Sequence, residues 1–509
     1  MKNAVILTTL MIGFFSPPAH AALLTWTGAA GNGNWSDAGN WSSPATPAMA
    51  DSLIFDNAIQ PSQTATTVAL TSLTWGANAG ASTVSGGTLT FNQSGGSLVN
   101  SGTQTQTLAG NVTFATNAQT INHGAGRIVL GGGSSTTTIS TGLTFEGSGT
   151  TTFSGTATLG STPTLTVNGG KVTFSSAIGG SGMFKAGSGT LELLGANTFS
   201  GNFTLLGGTV IAGSNSALGT GSFNLGSGST TVGTLESLGG VDRTFTNNVL
   251  FQRTLNVQGG GVLTFDGTSG SFGSSPILNI ADGTVLRVNN DLSGTPAPTK
   301  TGTGKLVLSG SNTFSGNFAV NAGELEVTNS TGAGAGTGTL TVAAAGKLSG
   351  NGRLENSSIN IFGTVAPGGS SVDTLHLAIT TTMFFQNASV LALQSGDLLS
   401  FASLGDWISV SSGAKLDLSG AGWSEGWNTF AVNLNALPAG IESNWTLTAA
   451  SIDAGFSLDS LQAFRVNGGE LQINLASVAI PEPSSLALAG LALSVLLGLR
   501  RRRAGGEQC

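Results

Sequence analysis

The sequence predicts an all-β chain: an elongated parallel β-helix, or β-solenoid, with an N-terminal signal helix and a C-terminal transmembrane helix. Three observations lead there. Segments of four to six residues that alternate apolar with polar, such as "TLEL" and "KLVL", recur between Gly- and Asn-rich turns, and no helical period runs through the body. A longer unit repeats without a gap, from Lys185 and again from Lys300, at an offset of 115 residues. Finally, the two ends depart in composition from everything between them.

The leader comes first. Met1 to Ala21 carries one lysine, Lys2, an apolar stretch from Ala4 to Phe15, and Pro17-Pro18. Ala19-His20-Ala21 is a small-x-small cleavage site, so residues 1–21 read as a signal peptide and Ala22 as the mature start. Sec-type export machinery and signal peptidase are the partners this implies.

Residues 22–60 form a Trp-rich segment, "LTWTGAAGNGNWSDAGNWSS" followed by "ADSLIFDNA". The eight tryptophans fall in two zones, Trp26 to Trp75 and Trp407 to Trp445. A solenoid must cover its end, because bare strand edges recruit other chains. Trp26, Trp35 and Trp41 are therefore expected to cap the first coil; an aromatic sugar-binding platform is the competing reading.

Residues 61–377 form the solenoid body, with clear repeats at 185–211 and 300–327. The shared core is Gly-x-Gly-x-Leu-x-Leu-x-Gly-x-Asn-Thr-Phe-Ser-Gly-Asn-Phe. Each "TLEL" or "KLVL" reads as a half-buried strand. Asn197, Thr198, Phe199 and Gly201, with Asn312, Thr313, Phe314 and Gly316, read as repeat turns, since Gly and Asn tolerate positive φ. One unit cannot bury its apolar face alone, but stacked units share a continuous narrow core. A series of antiparallel sandwiches is the rival architecture; sparse two-residue hairpin signals favour the solenoid. Residues 378–478 carry further strands, either the last coils or a separate β-domain, with Trp407, Trp423, Trp427 and Trp445 in its core or cap.

At the far end, Pro481-Glu482-Pro483 is followed by an uncharged apolar run, Ser484 to Leu499, and by Arg500, Arg501, Arg502 and Arg503. Sixteen helical residues cover about 24 Å, short of the ~30 Å hydrocarbon layer, and flanking residues with snorkelling arginines make up the difference. The arginines stay cytoplasmic, which leaves the body across the membrane, the topology the leader also requires. Residues 504–509 are a short tail.

Composition bounds the chemistry. Hydrophobic residues are 39% and charged residues only 8%, the reverse of a disordered chain. Gly, 79 of 509, follows no Gly-X-Y period, so collagen is excluded. The sole cysteine is Cys509, which rules out a disulfide framework or a cysteine metal site. The net charge is −7, and between residues 22 and 480 only 12 Lys and Arg occur, so nucleic acid is not expected as a partner. Arg127, Arg243, Arg253, Arg287, Arg353 and Arg465 are scattered, as are Lys171, Lys185, Lys300, Lys305, Lys347 and Lys415. Lys185 and Lys300 occupy equivalent repeat positions, which suggests a structural role. Glu324 and Glu326 share one side of a strand and read as solvated charge; Asp51 and Asp56 lack a nearby basic residue in the sequence. His123 and His376 read as loop or surface residues. The Gly-Gly-x-Gly-x-Asp calcium nonapeptide is absent, and "GAGRIVLGGG" lacks the Lys-Ser/Thr of a phosphate loop. No cofactor, metal or catalytic residue is expected.

Two resemblances add to this. The tail, residues 479–503, resembles the PEP-CTERM sorting signal of Gram-negative bacteria, which implies recognition by an exosortase-like membrane protease and release to the cell surface or extracellular matrix. The repeats at Gly187 to Gly201 and Gly302 to Gly316 resemble the autotransporter-associated β-strand repeat of secreted adhesins, which implies a right-handed β-helix. "LSGNGRLENSSINIFGTVAPGGSSVDTL" resembles the segment that often succeeds such repeats in that family. The chain shows no run of lipid-facing strands before its tail, so export by other machinery is expected. The function expected is that of a non-catalytic surface or matrix protein contacting exopolysaccharide or copies of itself. A β-helix polysaccharide lyase or hydrolase, or a receptor-specific adhesin, is the alternative; the enzyme would need three or more acidic residues converging in a cleft.

Overall fold

The structure is a computed structural model describing residues 21–56, 62–116, 118–226, 232–378, 382–405, 408–418, 423–434, 441–453, 456–458 and 463–477. The expected leader helix, the Pro-Glu-Pro, the apolar run and the arginines lie outside the described residues. Among the described residues no helix is long and apolar enough to cross a membrane. The chain divides into two compact units, one through Asn224 with Val232–Leu235, the other from Leu225–Thr231 and Glu236 onward.

In the first unit three short strands make one coil. Thr136–Ile139, Leu143–Glu146 and Thr150–Phe153 are followed by Thr156–Leu159, Thr164–Val167 and Lys171–Phe174. Each pairs in parallel with its counterpart in the next coil. Side chains bond from one coil to the next, across 19 residues between Thr173 and Glu192 and 25 between Asn111 and Thr136. This is a parallel β-helix, and the parallel register overrules antiparallel sandwiches. The strands form where the sequence predicts them, because β-branched and aromatic residues alternate with outward polar ones. Inward residues then stack into columns. Ile128, Thr151, Val172, Leu191 and Val210 follow one another in register, all fully buried. Beside them Phe153 lies on Phe174 with ring centroids 4.2 Å apart and planes 4° from parallel.

The first coil begins at Leu23–Thr25, which pairs with Asp51–Phe55, itself paired with Val68–Trp75. Trp26, Trp35, Trp41, Phe55 and Trp75 pack together, with Trp26 and Trp41 edge to face at 5.0 Å. The three N-terminal tryptophans are 2%, 0% and 4% exposed. Rings that deep cannot stack on a sugar, so the aromatic-platform reading fails.

The second unit repeats the coil geometry. Ile277–Ile280 pairs in parallel with Thr299–Thr301, and Thr284–Val288 with Lys305–Leu308. Two strands then lengthen: Phe318–Val327 and Leu340–Gly350 run across a corner that elsewhere breaks the chain, with a register shift between Val320 and Ala322. Parallel coiling continues through Val390–Ala392 and Lys415–Asp417. Direction then reverses, as Gly426–Leu434 and Phe464–Asn467 both pair antiparallel with Glu470–Ser477. Trp445 is 2% exposed among Phe385, Phe430 and Phe464. Trp423 and Trp427 are only half-buried, and the Arg465 guanidinium lies 3.9 Å over the Trp427 ring. Of the C-terminal tryptophans expected in a core or cap, the structure therefore buries Trp445 and leaves those two partly open. Trp407 lies outside the described residues.

Candidate functional site

The repeat residues carry a defined geometry. Asn197 is 1% exposed; its side-chain oxygen accepts the Ile178 amide at 2.9 Å, and its Nδ2 donates to the Ala217 carbonyl at 2.7 Å. One side chain thus ties the preceding coil to the following one. Asn312 repeats the arrangement, accepting from Leu292 at 2.8 Å and donating to Gly334 at 2.6 Å. None of Asn197, Gly201, Asn312 and Gly316 takes the positive φ on which the turn reading rested; the amides of Thr198 and Thr313 donate back to the Ile178 and Leu292 carbonyls of the preceding coil, each at 2.8 Å. Phe199 and Phe314 are fully buried. Each lies against a glycine of the next coil, Gly219 at φ +70° and Gly336 at φ +72°, where a Cβ would stand 2.2 Å and 2.4 Å from the ring. Gly201 and Gly316 pass as closely to backbone, with a Cβ 2.4 Å from the Gly182 nitrogen and 2.0 Å from the Pro296 oxygen.

Lys185 and Lys300 point inward. Lys185 lies in register between Leu165 and Leu205, and Lys300 between Leu278 and Val320. Lys185 Nζ donates to the carbonyls of Ala186, Gly187 and Gly207 at 2.8, 3.0 and 3.0 Å. Lys300 donates to Thr301, Gly302 and Ala322 at 3.4, 3.0 and 2.8 Å. Three donors thus meet three acceptors. Burial pushes each ammonium down to about 8, with the Glu324 charge opposing the shift at Lys300. Neither amine faces a cleft. His123 lies in the loop after Gln119–Asn122, but fully buried and not at the surface. Its Nδ1 lies 3.0 Å from the Thr151 hydroxyl and its Nε2 3.3 Å from the Gly147 carbonyl. Burial pushes its imidazole down, against that carbonyl and the Glu146 charge. The neutral ring therefore fills a corner, as the lysines do. His376 is exposed on Thr374–Leu377.

The outward residues of successive strands make rows. In the first unit Arg127, Thr150, Thr152, Lys171, Thr173, Ser175 and Glu192 line a shallow hollow of about 340 Å³. Thr152, Thr173 and Glu192 are only 7–8% exposed, although they alternate with the core side chains and point away from them, so this face is recessed. Glu192 takes Lys171 at 3.1 Å and the Thr173 hydroxyl at 2.8 Å. Arg127 donates to Thr152 at 3.3 Å and has no carboxylate partner among the described residues. By sequence alone these cations are scattered. The signal is nonetheless present in "RIVL", "TTTF", "KVTF" and "TLEL", whose first and third positions align on one face.

In the second unit Glu324 and Glu326 are half-buried and paired, a correction to their reading as solvated charge. Lys305 contacts Glu326 at 2.6 Å and Glu324 at 3.3 Å, and Lys347 contacts Glu324 at 3.5 Å. Burial opposes the Glu324 charge, but Ser349, Lys347 and Lys305 outweigh it and hold the carboxyl below its usual range. A hollow of about 360 Å³ is lined by Lys347, Gln394, Asp397 and Asp417, among others. Asp397 is 1% exposed; burial pushes its carboxyl up, yet its oxygens accept the Gln394 and Asp373 amides at 2.7 and 3.0 Å. Asp417 takes the Thr448 hydroxyl at 3.3 Å. Among the described residues no three His, Cys, Asp or Glu side chains group as a metal site. Of the sorting and cleavage residues, Ala21 and Ala22 are described; Ala19, Pro481, Glu482, Pro483 and Arg500 to Arg503 are not.

Comparison with known families matches the passenger-associated-transport-repeat at 183–212 and 299–327, the stretches that hold both lysines and both asparagines. The PEP-CTERM protein-sorting motif matches at 479–503. The chain carries passenger-associated-transport repeats and a PEP-CTERM sorting motif. Among curated proteins it is similar to the adhesin BmaC autotransporter of Brucella suis biovar 1 (strain 1330), 30% identical over 223 residues, or 41% of this chain. That stretch spans 6% of the adhesin. No solved structure matches.

Proposed function

We propose that this chain is an exported, non-catalytic surface or matrix protein. Its C-terminal helix holds it briefly in the membrane until an exosortase-like protease acts near Pro481-Glu482-Pro483. The body then contacts exopolysaccharide, or copies of itself, through its outward polar rows. The observation that carries this reading is the matched sorting motif at 479–503 on a chain whose body is a parallel solenoid. The outward rows support it further. Recessed threonines beside Arg127 and Lys171 offer hydroxyls and positive charge to an acidic sugar chain. Glu192, Glu324 and Glu326 are engaged by lysines, and Asp397 by backbone amides, which leaves them poorly placed for acid–base work.

Fractionation tests the sorting. In wild-type cells the body should reach the surface or matrix without residues after the cut. In cells lacking the sorting protease it should stay with the membrane at full length. Release of an intact, tail-bearing chain in both strains would refute the reading. Receptor-specific adhesion is the second reading, favoured by the similarity to an adhesin over 41% of this chain.

A further inference from the structure

The turn before the second strand holds a buried carboxylate that no side-chain cation reaches. Asp51 is 4% exposed. Its Oδ2 accepts the Ala48 amide at 2.8 Å, closing a turn in which Ala50 takes the left-handed conformation, φ +69°. Its Oδ1 accepts the backbone nitrogen of Ala22 at 2.7 Å. Among the described residues no Lys, Arg or His side chain pairs with it. The elements around it, Leu23–Thr25, Val68–Trp75 and the turn from Ala48 to Ala50, carry no other ionisable side chain. A buried carboxylate met only by neutral amides is costly unless a cation joins it.

Ala22 is also the residue at which the mature chain is expected to begin. We propose that removal of the leader creates the cation: the α-ammonium of Ala22 seats on Asp51 and locks the edge of the first coil. Hydrolysis of the Ala21–Ala22 bond adds one water. The C–N bond breaks, Ala21 leaves with the new carboxylate, and the Ala22 nitrogen keeps its place while gaining protons. The nitrogen that was a neutral donor at 2.7 Å becomes a charged one on the same oxygen, and charge-assisted bonds are the stronger kind. The anchoring contacts lie next to it: the Ser52 amide donates to the Ala22 carbonyl at 2.8 Å, and Leu24 is 1% exposed. Ala21, Ala22 and Leu23 face solvent, so hydrolysis of the Ala21–Ala22 bond breaks no core contact. The first coil is therefore matched to the processed chain, and the precursor lacks one ionic contact that the mature protein has.

This rests on cleavage after Ala21, which N-terminal sequencing of the exported protein tests by itself. A first residue other than Ala22 overturns the proposal at that step. The ion pair is tested on chains beginning at Ala22, compared with chains beginning at Ala21, with Asp51→Asn, and with Ala22 acetylated. The pH dependence of amine acylation gives the α-amine pKa. In the Ala22 chain it should lie at least about one unit above the ordinary ~7.7–8.0, returning to that range in Asp51→Asn and in the Ala21 chain. A raised amine pKa contributes stability that is present below the unfolded value and lost as pH rises through the folded one. The Ala22 chain should therefore melt higher than its acetylated form at pH 6 and equal it near pH 11. Acetylation keeps the N–H and the fold while removing the charge, so it reports even if Asp51→Asn misfolds. An Ala22 amine that titrates alike with and without the Asp51 carboxylate, or equal melting at pH 6, overturns the ion pair.

Discussion

The side-chain oxygen of Asn197 takes the Ile178 amide at 2.9 Å while its nitrogen reaches the Ala217 carbonyl at 2.7 Å. A residue of this kind does for stacked coils what a cap does for a helix: it satisfies backbone groups where the strand ladder is interrupted. Asn197→Ala leaves one buried donor and one buried acceptor unpaired, each costing about 1–3 kcal/mol. A loss of about 2–6 kcal/mol is expected, read as a lower urea midpoint, with Asn312→Ala behaving alike.

Phe199 needs the glycine above it. Gly219→Ala forces a side chain into φ +70° and places its Cβ 2.2 Å from the ring. Strain and overpacking together should cost about 2–4 kcal/mol. Gly207→Ala is the control: its nearest neighbour would be the Gly187 oxygen at 3.7 Å, so its melting temperature should hold or rise slightly.

The buried lysines give the protein an alkaline signature. Each has a folded pKa lowered to about 8 from 10.5. Between those values the unfolded chain binds more protons than the folded one, so stability rises with pH across that window. Urea titrations at pH 7.5 and pH 10 should show the rise. The Lys185→Met, Lys300→Met double variant should lose it.

At acid pH a second window has the same sign, with stability again rising with pH. The Glu324 carboxyl is held below its usual range, so its contribution is present above the unfolded value near 4.5 and disappears as pH falls through the folded one. Glu324→Gln should flatten the acid limb of a stability profile taken from pH 6 to pH 3.

The recessed face of the first unit should bind without stabilising. Arg127→Ala with Lys171→Ala removes one surface charge without a carboxylate partner among the described residues and one part-exposed ion pair with Glu192, each worth under about 1 kcal/mol to the fold. Retention on an acidic exopolysaccharide should fall about tenfold, the size of one charged hydrogen bond. Wild-type retention should weaken with added salt. Unchanged retention in the double variant would remove this face from the proposed function.

The sequence by itself determined the coil. Alternation in "TTTF" and "KVTF" set which side chains point inward, because a strand has a period of two wherever it lies. The matched repeats at Lys185 and Lys300 placed equivalent residues in equivalent surroundings, so their structural role was legible. The sorting motif was legible too, since it is local in the chain. Tertiary structure alone decided what depends on the height of one coil above another. Coil length is not constant, the step being 19 residues from Thr173 to Glu192 and 25 from Asn111 to Thr136, so no fixed offset shows that Arg127 stands beside Thr150 and Lys171, or that Glu324 meets Lys347. His123 is a loop residue whose burial is decided only when Thr151 of the next coil closes over it. Asp51 looks unpartnered until parallel pairing carries Ala22 to its side. Neighbours along a strand are written in the chain; neighbours between coils exist only once the stack has formed, because the hydrogen-bond ladder sets their register.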